Sequence, residues 1–387
     1  MKKLLIVLSI CCLTGKSRAQ ADSCGLQVSL ITCGPGQDLY SIWGHTGVRV
    51  TDTTRHIDVV FNYGTFDDSD PLFYLRFTRG LMMYAVAPFS YADFMEEYRV
   101  EKRSVTEQVL DLSCPEKTAL AKALWINTDP QNKFYPYHFY ADNCTTRARD
   151  MIINHTGPGL TFREVRPLPG ETTYRQLIHS YMKSSIQGWN RFAIDVLLGN
   201  HLDEKMNNLQ AMFLPDYLMV GFGKAALHSH PLVKETLLLL PDGQPRNSTF
   251  FTPVNFFSLL AGLMLLLSFL PYPQAARTLT VLDNLFFLFT GLLGTLMLCL
   301  WIFRVDNVCR NNYNLLWALP THAVIAFFMT SRKKWVRVYW LLTALLSLVT
   351  LLMWRVIPQE FNNSIPLLVI IILFRSTVRY IKTRQHD

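Results

Sequence analysis

The chain has 387 residues, is 50% hydrophobic and carries a formal charge of +8, which makes it too apolar for an ordinary soluble protein and long enough for two or more units. The charge is unevenly placed: residues 22–253 are net −4 and residues 254–387 net +8. A basic excess confined to the apolar half is a membrane-topology signal, and with no zinc-finger, RNP-like or basic-helix pattern beside it a nucleic-acid partner is excluded.

The first stretch has Lys2 and Lys3, an apolar run from Leu4 to Leu13, and Ala19-Gln20-Ala21 as a small-x-small site. It predicts a cleaved signal peptide over residues 1–21, with an uncleaved signal anchor as the other reading. The apolar run is too short to span a bilayer comfortably. Of the eight cysteines, Cys11 and Cys12 leave with that peptide and Cys299 sits in an apolar run. Cys24, Cys33, Cys114, Cys144 and Cys309 remain in or facing an oxidising compartment, where a Cys24–Cys114 bridge is one pairing open to them. No spacing suits zinc, and neither a metal nor a cofactor is expected.

Leu26 to Cys33 reads as a strand, Gly34-Pro35-Gly36 as a break, and the run ending at Val50 as a second strand that His45 begins. Alternation sets Val48 and Val50 on one face and His45, Gly47 and Arg49 on the other. Ile57 to Tyr63 returns as an antiparallel partner, so His56, Asp58, Asn62 or Tyr63 is placed to orient the His45 imidazole. Phe66 to Phe94 is aromatic-rich, Val105 to Leu112 predicts a strand and Pro115 to Trp125 a helix. Together residues 22–160 suffice for one α+β domain with its own core.

Cys144 falls where an aromatic run turns into a helix. Asp142 or Asn143 can cap it, and Ala148, Met151 and Ile152 recur at helical spacing. Free N–H groups and the positive dipole end there favour a thiolate and can hold an oxyanion, with Tyr40 and Asn143 as further candidate donors. The alternative is an inert core cysteine or half of a disulfide. With His45, Cys144 makes a minimal thiol acyl-transfer pair in which imidazole takes the thiol proton and later returns it.

Residues 161–250 predict a helical extension without a chemical motif. Trp189–Leu198 and Asp203–Leu227 are its amphipathic segments, Pro215 interrupts the second, and His179, His201, His228 and His230 fill packing or surface roles. Residues 251–387 then hold five uncharged apolar runs, near 254–270, 285–303, 313–330, 338–354 and 361–374, the last one short. Lys and Arg number nine in the loops after runs one, three and five against three after runs two and four. That asymmetry places residues 22–253 outside, five helices in the membrane and the C-terminus in the cytoplasm. Asn312 and Asn314 then fall at the outer membrane face, on the side of Cys144.

Histidine precedes cysteine, the reverse of papain-type order and as in circularly permuted relatives. Gly44-His45-Thr46 on a strand and Asp142-Asn143-Cys144-Thr145-Thr146 at a helix start resemble the permuted NlpC/P60 and lecithin:retinol acyltransferase-like group. Adding Ile31-Thr32-Cys33-Gly34-Pro35-Gly36, the run Tyr40 to Thr46, Phe61-Asn62-Tyr63-Gly64 and Asn312-Tyr313-Asn314-Leu315-Leu316-Trp317, the chain resembles the Lnb-type lipoprotein N-acyltransferases. The resemblance implies a papain-like α+β periplasmic domain followed by an all-α five-helix membrane domain in the bacterial inner membrane. It also implies a reaction: Cys144 takes an acyl chain from a membrane phospholipid and passes it to the α-amine of a diacylglyceryl-cysteine lipoprotein. A wall of Trp43, Phe139 and Tyr140 and a mouth beside Asn312 and Asn314 would then keep water from the thioester. Two rivals remain: a membrane-anchored peptidoglycan peptidase or amidase using the same pair, and a non-catalytic envelope protein whose thiol forms a disulfide.

Overall fold

The computed structural model describes residues 24–384 apart from 39, 67–70 and 246–247; the segment assigned to a signal peptide lies outside the described residues. Six strands come first: Leu26–Cys33 (β1), His45–Asp52 (β2), Ile57–Thr65 (β3), Met83–Ser90 (β4), Val105–Leu110 (β5) and Phe134–Pro136 (β6). Leu160–Thr161 (β7), Ala226–Leu227 (β8) and His230–Pro231 (β9) form a small ribbon, and Val233–Leu240 (β10) closes one edge of the main sheet. That sheet is antiparallel throughout, in the order β10-β5-β1-β2-β3-β4-β6.

Alternation decides what each face buries. In β1, Val28 and Leu30 enter a core with Val48, Val50 and Phe61, while Ile31 and Cys33 enter a second core with Phe94, Met95 and Tyr98. Tyr91–Val100 (α2), which follows Phe73–Arg79 (α1), supplies the second core. Cys114–Asn127 (α3) and Cys144–His155 (α4) cover the first. Ser113 and Glu116 close a capping box at the start of α3, and a Cys24–Cys114 disulfide ties the chain's first described residue to it.

The segment expected to be a helical extension is only partly so. Tyr174–Tyr181 (α5), Ser184–Leu197 (α6), Asn208–Ala211 (α7) and Pro215–Gly223 (α8) are helices, with Pro215 starting a helix rather than interrupting one. However, β8 to β10 also belong to this stretch, and β10 hydrogen-bonds to β5. The Val233–Leu240 run ends in four leucines and is exposed at every residue from Lys234 to Leu238, so no alternation marked it as an edge strand.

The apolar half contains Pro253–Phe269 (α9), Pro273–Phe303 (α10), His322–Ile325 (α11), Lys334–Leu352 (α12) and Ile365–Arg384 (α13). By length and composition α10 and α12 are able to cross a membrane. The third apolar run is not the helix expected: 313–330 follows an irregular path of short turns, α11 among them. Asn312 caps a single turn by accepting from the Asn314 N–H, and Pro320 removes an N–H donor where a helix would need one. This backbone lies directly on α10. A Cβ on Gly294 would sit 1.9 Å from the Ala318 carbonyl, and one on Gly291 2.0 Å from the Ala323 nitrogen. Irregular backbone among apolar helices is tolerable when protein buries it in this way. The fifth run is longer than its apolar residues suggest, because fully buried Asp283 of α10 accepts from Arg375 (2.7 Å) and Arg379 (2.6 Å) and draws both into α13.

A third core joins the halves. Ile42, Tyr174, Leu177, Ile178 and Phe213 pack with Leu300 at the end of α10 and with Val308 and Cys309 beyond it.

Candidate active site

Cys144 is the first residue of α4, and its position is set by the residue before it. The Asn143 side-chain oxygen accepts from the Thr145 and Thr146 N–H groups, both at 2.9 Å, while its Nδ2 donates to the carbonyls of Phe139 and Phe213. The Thr146 hydroxyl in turn accepts from the Asn143 N–H at 2.8 Å. Every polar group of Asn143 is therefore spent on building the corner, and it has none left for an oxyanion. A hydroxyl contact of 3.0 Å between Thr46 and Thr145 then fastens α4 to β2.

His45 opens β2 after Gly44, whose φ of +83° and whose Cβ position, 2.5 Å from the Cys33 carbonyl, both require glycine. Across the sheet, Asn62 Oδ1 lies 2.8 Å from His45 Nε2 and also accepts from the Gly64 N–H at 2.8 Å. The amide N–H fixes which Asn62 atom is the oxygen, so His45 Nε2 must carry the proton and Nδ1 is left for the thiol. Gly64 makes room for the ring, since a Cβ there would meet His45 Cε1 at 2.6 Å.

The electrostatics follow from this geometry. Burial alone would push the Cys144 thiol up, but the charge and hydrogen bond of His45, with the Thr46 N–H and the Thr145 hydroxyl, bring it down to about 7. Burial opposes the charge on His45 too, yet Cys144 and then Asn62 hold its pKa above the ordinary histidine value. Each group favours the charged form of the other, which is the condition for a thiolate–imidazolium pair. Cys33, one strand away and fully buried, goes the opposite way: desolvation pushes it far up and leaves an inert thiol.

The match to the two Lnb models is extensive: residues 15–180 fit the Lnb N-terminal periplasmic domain and residues 245–387 the Lnb transmembrane domain. The chain belongs to the Lnb family. No curated protein and no solved structure matches it. Membership makes this a membrane protein with a periplasmic domain and connects it with lipoprotein N-acylation.

Within this Lnb-family chain the other expected site residues divide. Trp43 and Phe139 meet edge to face at 4.9 Å between ring centres, Tyr140 packs on Tyr174 at 4.4 Å, and all three pack against the third core. Tyr63 does not orient His45; its ring points into the sheet core and its hydroxyl donates to Asn127 at 2.9 Å. Tyr40 is 69% exposed, with its hydroxyl directed at Asp38 rather than the pair. Asn312 and Asn314 form no mouth. Both are buried, and they donate to the Val196 (2.7 Å) and Asp195 (2.9 Å) carbonyls, which the end of α6 leaves unsatisfied.

Sequence reading gave no role to Gly64 or Thr46, although the Phe61–Gly64 and Gly44–Thr46 motifs contained them. It also missed Tyr84 and Tyr137, which pack on the same core as Cys144 and lie close enough that its charge adds to burial in raising the pKa of both hydroxyls. An open cleft of 770 Å³ lies nearby, lined by Gly36, Ile42, Tyr181 and Tyr217, but neither Cys144 nor His45 reaches it. Among the described residues no group of three or more His, Cys, Asp or Glu is arranged to hold a metal.

Proposed function

We propose that this protein is a lipoprotein N-acyltransferase of the bacterial inner membrane, working through a Cys144 thioester. The observation that carries the reading is a thiol brought down to about 7 by a histidine whose other nitrogen is fixed on Asn62. In the first half-reaction the thiolate attacks the ester carbonyl of a membrane phospholipid. A C–S bond forms, the C–O bond breaks, and the His45 imidazolium gives its proton to the departing alkoxide of the lysophospholipid. In the second, the neutral α-amine of a diacylglyceryl-cysteine lipoprotein attacks the thioester. A C–N bond forms, the C–S bond breaks, and the amine proton passes to His45, restoring the ion pair.

Asn143 consumes the Thr145 and Thr146 N–H groups, so the Cys144 N–H, at a first helical position without an intrahelical acceptor, is the backbone donor that meets the oxyanion. His45 before Cys144, on a strand and a helix start respectively, supports a permuted NlpC/P60-like relationship. The test is mass spectrometry of purified protein in phospholipid micelles with and without a diacylated lipopeptide. Lysophospholipid, an acyl adduct on Cys144 and triacylated peptide are expected together. Cleavage of a peptidoglycan peptide with no lysophospholipid would replace the transferase by the hydrolase.

A further inference from the structure

Asn312 and Asn314 are closed against α6, so an acyl chain must reach Cys144 elsewhere. The aromatic surface leading away from the thiol marks a route. Tyr137 and Tyr84 share a core with Cys144 and both feel its charge, Tyr84 stacks on Tyr137 at 4.3 Å, and Phe66 stacks on Tyr84 at 5.0 Å. Next in the chain to Tyr137, His138 donates from Nε2 to the Asp306 carbonyl at 3.1 Å, just past the end of α10. The aromatic file thus runs from the neighbourhood of the nucleophile out to half-exposed Phe66, and its Tyr137 end is tied through His138 to the residues just past α10.

At that corner sits α1. Arg304 donates to the carbonyls of Phe77 (3.0 Å) and Thr78 (3.3 Å), and the Val305 N–H donates to the Arg79 carbonyl (3.1 Å). Gly80 ends the helix with φ +70°, and the Asp306 carboxylate fills the place of its absent side chain. The helix is thus bolted to the residues at which α10 ends. Its described side chains are all exposed and mix apolar with basic: Leu75 is 57% and Phe77 53% exposed beside exposed Arg76 and Arg79, with Leu81 following and Met83 and Phe134 on the adjoining sheet edge. The end of α10 continues the patch through Ile302 (61%) and Phe303 (63%). Those two belong to a helix long and apolar enough to cross a membrane, and apolar surface contiguous with them shares their solvent.

We propose that α1 is an interfacial helix that dips into the outer leaflet, and that it delivers the donor phospholipid's acyl chain to Cys144 along Phe66, Tyr84 and Tyr137. Delivery rests on the acyltransferase reading; the lipid seating of α1 does not. Leu75 and Phe77 reach outward, so L75D/F77D changes the surface and spares the core.

With full-length protein in phosphatidylethanolamine–phosphatidylglycerol vesicles, acylation of Cys144 is followed by intact mass and compared with its acylation by a soluble short-chain ester. The ratio of the two rates is expected to fall at least tenfold in L75D/F77D. An unchanged ratio, including an equal loss of both rates, overturns delivery by α1. If the wild type is acylated by neither donor, the acyltransferase reading falls by itself. A photoreactive benzoylphenylalanine at position 75 then decides the seating: a phospholipid adduct supports it, and an adduct to a second copy of the chain or no adduct overturns it.

Discussion

The chain holds two buried polar clusters built in opposite ways. Around Asp195 every group is answered. Its carboxylate accepts from Arg175 (3.2 Å), His179 (2.7 Å) and Asn362 (2.9 Å), while Arg175 also binds Asp203 (2.9 Å) and the Gly199 carbonyl (2.9 Å). These bonds join α5, α6 and the loop between α12 and α13. Around Cys144 the thiol has His45, the Thr46 N–H and a 3.8 Å contact with the Thr145 hydroxyl, and nothing neutralises it except its own reaction partner. Burial opposes ionisation of Asp195 as it does that of Cys144, and in both cases neighbours win, His179 first for Asp195. The difference is saturation. A fully answered cluster fixes geometry, whereas one left with a free nucleophile is positioned for chemistry.

The sharpest break in this comparison is removal of the reacting groups. Cys144→Ala should abolish both lysophospholipid release and transfer. His45→Ala should slow acylation about 10²–10⁴-fold, the usual contribution of a positioned acid–base group. The sign of the pH effect follows from the wild-type thiol at about 7: below that value the thiol is protonated and alkylation slows. Without His45 the thiol loses the charge and hydrogen bond that offset burial, so the midpoint of alkylation rate against pH should move upward. A midpoint that stays put would show that the helix start alone makes the thiolate.

Arg175→Met tests the saturated cluster. Leaving buried Asp195 short of its guanidinium should cost about 3–5 kcal/mol of stability, read by thermal unfolding in detergent. In protein that remains folded, the alkylation midpoint of Cys144 should stay near 7. Movement of that midpoint would mean that the two clusters are one network.

Asn62→Ala comes next. It removes a hydrogen bond to an imidazolium, an interaction worth about 1.5–3 kcal/mol, so acylation should slow about ten- to a hundredfold while unfolding changes less than in Arg175→Met. An equal loss of stability and rate would place Asn62 among the fold-building groups.

How much was legible depends on the range of the cause. β1 to β3 and the start of α4 follow from alternation and capping, which act within a few residues, and the sequence reading located them; His45 and Cys144 were paired there from the chemistry of the two residue types. Asn62 was one of four candidates because strand pairing brings it opposite β2 but leaves the register open; the observed register pairs Gly47 with Asn62. Asn312 and Asn314 were misassigned because their partners are the Asp195–Leu197 carbonyls, more than a hundred residues away. The irregular path of 313–330 had local signals in Asn312, Asn314 and Pro320, but hydropathy outvoted them. Its cause lies in the bare flank of α10 at Gly291 and Gly294.

The smallest effect concerns water at the proposed thioester. Trp43 stands two residues before His45 and packs edge to face on Phe139, while its buried indole N–H has no partner among the described residues. Such an aromatic contact is worth about 0.5–1.5 kcal/mol. Opening the wall with Trp43→Ala should therefore raise hydrolysis relative to transfer by up to about tenfold, measured as free fatty acid against triacylated peptide. Trp43→Phe separates two roles for the residue. If Trp43 acts by excluding water, phenylalanine restores the wild-type partition, because the ring face remains. If the unpaired N–H instead binds a substrate oxygen, phenylalanine behaves like alanine, and Trp43 belongs with the unsaturated groups of the site rather than with its packing.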